Sequence, residues 1–176
     1  MNFMRTLKVL LKSKLHDAPK VALLGIGSEI CGDDAIGPLV IQYLKKNKSP
    51  LKNKTRFKVF LGGTAPENIT GEIKKFHPTH VVMVDAADMG LTPGGVAFID
   101  PKRVAGVSFS THRLPTTIIA EYLTYCISCE VIIIGVQPKS LEFGQSPSKE
   151  IDRTAQQLAR VLLEIFKKSA SKPKSS

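Results

Sequence analysis

The sequence predicts an α/β fold of three layers, in which a twisted, five-stranded, mainly parallel sheet is covered by helices on both faces and one strand runs antiparallel. Three observations carry this. The runs VALLGIG (Val21–Gly27), HVVMVD (His80–Asp85) and EVIIIGV (Glu130–Val136) are almost uninterrupted apolar stretches of strand length, as expected for strands buried on both faces. Segments with helical periodicity separate them, the alternation that parallel pairing requires. The short run Gly95–Ile99 follows its predecessor after a turn-rich loop that leaves no room for a crossover helix, which makes it the antiparallel member.

The elements follow in order. Phe3, Met4, Leu7, Leu10, Leu11 and Leu15 fall on one face of a basic N-terminal helix. Packing of that helix on the domain is the first expectation, and docking to a membrane surface or partner is the second. After the strand Val21–Gly27, Ala35–Lys46 has the apolar spacing of a helix and ends in lysines, which suit the negative end of its dipole. Phe57–Leu61 is a second strand, followed by GGTAPEN and a helix to about Phe76. His80–Asp85 is the third strand. Gly95–Ile99 is the fourth, stopped by Asp100-Pro101. Leu114–Tyr125 reads as a helix with Pro115 in its first turn. After the fifth strand, Ser148–Lys168 is an amphipathic helix with Ile151, Leu158, Val161, Leu162 and Ile165 inward. The expected organisation is an N-terminal extension over residues 1–18, a single α/β domain over 19–168, and a basic tail over 169–176 whose composition suits disorder.

The chain has 176 residues and a formal net charge of +10, a size that suits one domain. The basicity belongs to the ends: residues 1–20 contribute +4 and residues 167–176 another +4, leaving the body near neutral at +2. With aromatics at only 6% and no Trp, this is not the pattern of a nucleic-acid binder, whose basic surface and stacking rings spread over the folded domain. No apolar run reaches the roughly 18 residues of a membrane span. Three cysteines, an odd number, make no disulfide framework and suit a reducing, cytoplasmic setting. Cys126-Ile-Ser-Cys129 lies between a helix end and a strand start, whereas a redox motif would open a helix.

In sheets of this kind ligands bind beyond the carboxyl ends of the strands. The polar residues there are Ser28, Glu29, Cys31, Asp33 and Asp34 after the first strand, and Gly62, Gly63, Thr64 and Glu67 after the second. Asp85 and Asp88 follow the third, Ser110, Thr111 and His112 precede the fourth helix, and Gln137 follows the fifth strand. Gly25-Ile26-Gly27 does not continue as a dinucleotide fingerprint, because Ile30 stands where the third glycine belongs and acids follow where a pyrophosphate would lie. Asp34, Asp85 and His112 offer two carboxylates and an imidazole, a donor set suited to a divalent ion such as Ni2+, Zn2+ or Mn2+. Each also has a structural alternative: Asp34 as a helix cap, Asp85 closing a turn, and His112 as a satisfied loop histidine.

Five segments, GIGSEICGDDAIGP (25–38), GGTAPEN (62–68), VDAADMGLTPG (84–94), STHRLP (110–115) and GVQP (135–138), resemble in order and spacing the hydrogenase maturation endopeptidases. The resemblance is closest to the branch that processes the large subunit of formate-hydrogenlyase-type nickel-iron hydrogenases. It covers about Val21 to Phe166. One departure is Ala35, where the family often has glycine after the acid. The resemblance implies a peptidase that removes a C-terminal extension from the hydrogenase large-subunit precursor once nickel has been inserted. Asp34, Asp85 and His112 would be its metal-contacting and catalytic residues, and the nickel would be carried by the substrate rather than stored in the enzyme. Two other readings of the same three residues are a stand-alone metal-dependent hydrolase with a resident ion and a non-catalytic metal-delivery module.

Overall fold

The structure, a computed structural model, describes residues 3–47, 56–100, 108–109 and 115–169. Its elements are α1 (Phe3–Leu15), β1 (Val21–Ile26), α2 (Ile36–Lys46), β2 (Phe57–Gly63), α3 (Thr70–Phe76), β3 (His80–Asp88), β4 (Val96–Ile99), β5 (Ser108–Phe109), α4 (Thr116–Ile127), β6 (Glu130–Val136) and α5 (Lys149–Ser169). The main sheet has the order β2-β1-β3-β6-β4. The pairs β1–β2, β1–β3 and β3–β6 are parallel and β4–β6 is antiparallel, as the sequence predicts. The two-residue β5 pairs antiparallel with the end of β3, an element too short to leave a periodic signal.

The apolar strand runs are double-sided because two cores need them. Val82, Val84, Ile132 and Ile134 face a core shared with α1, α2 and α5, while Val81, Met83 and Ile133 face a second core with α3 and α4. The period-2 alternation of side chains sends adjacent residues to opposite cores. In α1, Leu7, Leu11 and Leu15 are buried, and α1 packs on α5. Ion pairs from Lys8 to Glu164 and from Lys14 to Glu130 flank that contact. Val9 and Leu10 face outward. Phe166 of α5 lies with its ring centroid 4.1 Å from that of Phe57.

α4 begins two residues later than its expected start. Pro115 is in extended backbone, with ψ 138°, and stands just before the first turn rather than inside it. This puts the hydroxyl of Thr116, not a prolyl ring, at the helix start. GGTAPEN, expected as a loop leading to a helix, holds a 3-10 turn at Pro66–Ile69 that runs into α3. The segment 170–176 lies outside the described residues.

Candidate active site

The glycines after β1 set the position of everything else. Gly27 has a φ of 126°, and a Cβ there would collide with the backbone carbonyl of Asp34, so only glycine lets the loop fold back on itself. Gly37, in the first turn of α2, sits against the backbone of Ile26 and would place a Cβ 2.8 Å from the carbonyl oxygen of Val84. The start of α2 therefore rests directly on β1 and β3. These contacts make the Gly25–Gly27 pair and Gly37 packing devices.

Between them lies a 3-10 turn, Gly32–Ala35, whose four residues are all buried and which packs against β3. Asp34 is fully buried and its Oδ2 accepts a hydrogen bond from the backbone N–H of Ser28 at 2.7 Å. Asp85 is fully buried near the carboxyl end of β3, one residue past the level at which Val84 pairs with Gly25 of β1. Its Oδ2 accepts the hydroxyl of Thr116 at 2.5 Å. Asp85 falls on the side of the sheet that faces α3 and α4, in step with Val81 and Met83. The fold thus brings Asp34 and Asp85 to the same end of two adjacent parallel strands. His112, with Ser110 and Thr111, lies outside the described residues. Among the described residues no group of three or more His, Cys, Asp or Glu could hold a metal ion.

Sequence reasoning put Asp34 in the donor set and gave its neighbour Asp33 no role; the structure gives Asp33 one. Asp33 is 1% exposed, and its carboxylate accepts hydrogen bonds from the backbone N–H of Lys139 (2.7 Å) and from the N–H (2.6 Å) and hydroxyl (3.0 Å) of Ser148. It fastens the β1 loop to the loop between β6 and α5. Gln137, just past β6, fastens the loop after β3 in a similar way. Its Oε1 accepts from the N–H groups of Met89 and Leu91, and its Nε2 donates to Asp88. That bond holds the exposed Asp88 carboxyl below its ordinary value. Glu67 lies in the 3-10 turn after β2, and its Oε2 is buried with no hydrogen-bond partner among the described residues.

Thr116 was missed from sequence. The local signal for it is a hydroxyl residue directly after Pro115, at the start of an expected helix; its partner Asp85 leaves no such signal. Cys31 flanks the 3-10 turn and is half-buried, and Cys129 is buried, its thiol pushed up by loss of solvent.

A family model described as hydrogenase maturation protease matches residues 38–165, well over half of the chain. The chain belongs to the hydrogenase maturation protease family. It is accordingly a peptidase. Among relatives of this maturation protease, the hydrogenase 3 maturation protease of Escherichia coli is 38% identical over 122 residues, 69% of this chain and 74% of its own. A Methanocaldococcus jannaschii chain named for the same family is 35% identical over 164 residues, 91% of this chain and 96% of its own. The crystal structure of the nickel-iron hydrogenase maturation protease HycI from Thermococcus kodakarensis superposes with a TM-score of 0.79 at 34% identity, covering 90% of this chain and 99% of that one. The stretch of the maturation protease matched by the family model contains Asp85 and His112 and begins just after the Asp34 turn.

The two carboxylates suit acid–base and cation chemistry. Buried carboxylates are stable as anions only where donors or cations compensate lost solvation. Ser28 and Thr116 supply donors to this pair, and Thr116 stands in the first turn of α4, the positive end of that helix's dipole. Among the described residues no helix is long and apolar enough to cross a membrane.

Proposed function

We propose that this maturation protease removes the C-terminal extension of a nickel-iron hydrogenase large-subunit precursor after nickel insertion, and that it reads the substrate-borne nickel through Asp34, Asp85 and His112. The observation that carries this reading is the burial of two carboxylates, each held by a local donor, at one end of adjacent parallel strands. His112 enters this reading through the STHRLP segment, which stands just before Thr116 in the sequence, the residue bonded to Asp85.

The chemistry follows from the donor types. Nickel held by the thiolates of the precursor takes two hard carboxylate oxygens and one borderline imidazole nitrogen to complete its coordination. Docking through the ion holds the scissile bond in one place, so that attack by water becomes effectively unimolecular. The ion polarises the carbonyl or the water. A carboxylate of the pair takes the proton of the attacking water, and the leaving amine receives it as the C–N bond breaks. A precursor without nickel offers these three groups no ion to bind, so cleavage is withheld until insertion is complete. The setting is cytoplasmic, where the precursor's thiolates stay reduced.

The test is incubation of the purified protein with nickel-loaded and nickel-free precursor, followed by the change in precursor size. Only the loaded form should be shortened, and equal processing of both forms would overturn the nickel gate. Asp34→Asn and His112→Ala should each abolish cleavage; undiminished cleavage by either would overturn the ligand assignment. A stoichiometric ion retained through purification would favour a resident-metal hydrolase, and binding without shortening would favour a delivery module.

A further inference from the structure

We infer that three loops at the carboxyl end of the sheet form a rigid apolar rim on which the precursor docks by large apolar side chains near its scissile bond. Each loop displays one such residue: Ile30 after β1 is 57% exposed, Leu91 after β3 is 42% exposed and Phe143 after β6 is 79% exposed. An exposed apolar residue taken singly needs no explanation. Here three are gathered on loops that are tied to one another by hydrogen bonds.

Gly144 donates its N–H to the carbonyl of Ile30 at 2.8 Å, which puts Phe143 beside Ile30. Gly32 donates to the carbonyl of Gln145 and Asp33 to that of Ser140. Asp33 in turn takes the N–H of Lys139, and Gln137 takes the N–H of Leu91. These bonds hold the backbones of the loops, and with them the exposed positions of Ile30, Leu91 and Phe143, in place. The cost of ordering the surface is met on folding, so little is lost when a partner arrives.

Continuity with the candidate site identifies the occupant. Ile30 lies inside the loop that Asp34 closes on Ser28, and Asp33, which holds the β6 loop, is the neighbour of Asp34 in the chain. A polypeptide whose reacting bond lies at Asp34 passes close to Ile30 and, through the Gly144–Ile30 bond, to Phe143. The partner it fits is a segment with two or three large apolar side chains, whose burial in a few hot spots would supply affinity without touching the chemistry. This inference rests on the proposed precursor cleavage and adds how the precursor is held.

The experiment compares wild-type protein with the double variant Ile30→Ser/Phe143→Ser on nickel-loaded precursor. Both positions are exposed, so the melting temperature should be unchanged. KM should rise about tenfold or more with kcat within about twofold, and Phe143→Leu alone should stay close to wild type. Tyr125→Ser, on the outer face of α4, should leave both constants unchanged. A KM unchanged in the double variant, or raised by Tyr125→Ser instead, would overturn the rim. If the wild type binds precursor without shortening it, the cleavage reading fails, and the rim is judged by titration of precursor. Binding about tenfold weaker in the double variant supports it, and equal binding overturns it.

Discussion

The hydroxyl of Thr116 donates to Oδ2 of Asp85 at 2.5 Å, and both residues are fully buried. One bond thereby links the first turn of α4 to the carboxylate of the central strand β3. It fixes the direction in which that carboxylate presents its oxygens. It also anchors the chain four residues after His112.

Thr116→Val keeps the shape of the side chain and removes the donor. A buried carboxylate that loses a hydrogen bond costs about 1–3 kcal/mol, so the denaturation midpoint should fall. Loss of a group that orients a ligand typically costs about 10–100-fold in activity or metal affinity, so precursor cleavage should fall by that order. Thr116→Ser restores the hydroxyl and should recover most of both. Cleavage by Thr116→Val at the wild-type rate would show that the bond does not orient Asp85 for the reaction.

Asp33 and Asp34 are neighbours with separable duties. Asp33→Ala strips acceptors from Lys139 and Ser148 and should destabilise the fold by about 2–4 kcal/mol, read from urea unfolding. Asp34→Asn keeps an oxygen for the N–H of Ser28, so it should unfold within about 1 kcal/mol of wild type while losing cleavage. Reversal of that pattern would mean the two roles had been exchanged.

Those adjacent acids mark where the sequence stops being legible. The strands could be read because burial on both faces leaves runs such as HVVMVD, and the antiparallel β4 because its loop is too short for a crossover. Asp85 could be placed because it ends such a run. Nothing in GDD tells which carboxylate will meet Lys139 and Ser148, since those donors lie more than a hundred residues away. The Thr116–Asp85 bond, between residues 31 apart, leaves no local pattern either, and the two-residue β5 has no period to detect. Local pattern writes the scaffold, whereas contacts between distant segments decide which polar atoms are occupied.

Gly37→Ala tests the close approach of α2 to the sheet. Its Cβ would meet backbone atoms of Ile26 and Val84, none of which can swing aside as a side chain would. Overpacking of this sort costs about 1–3 kcal/mol or more. The variant should therefore melt well below wild type and, because α2 carries the Asp34 turn at its start, lose cleavage at temperatures where it is still folded. A melting temperature equal to wild type would show that the helix can retreat without cost.

His80 supplies the pH dependence. Burial pushes its imidazole below the ordinary 6.5; nearby Glu130 pulls it up, and Lys14 adds to the lowering. Nε2 lies 3.6 Å from Glu130, Nδ1 lies 3.0 Å from the Thr79 hydroxyl, and Lys14 pairs with the other Glu130 oxygen at 2.7 Å. The unfolded chain therefore binds a proton at a higher pH than the folded one does. Stability from this group is complete above the unfolded value of 6.5 and is lost as pH falls toward the lower folded value. Urea unfolding from pH 7.5 downward should show that decline, and His80→Gln should flatten it. Glu130→Gln removes the one influence that raises the imidazole, so it should lower the folded titration midpoint further and steepen the loss. A ring titration by NMR with a midpoint above 6.5 would mean that Glu130, not burial, governs this histidine.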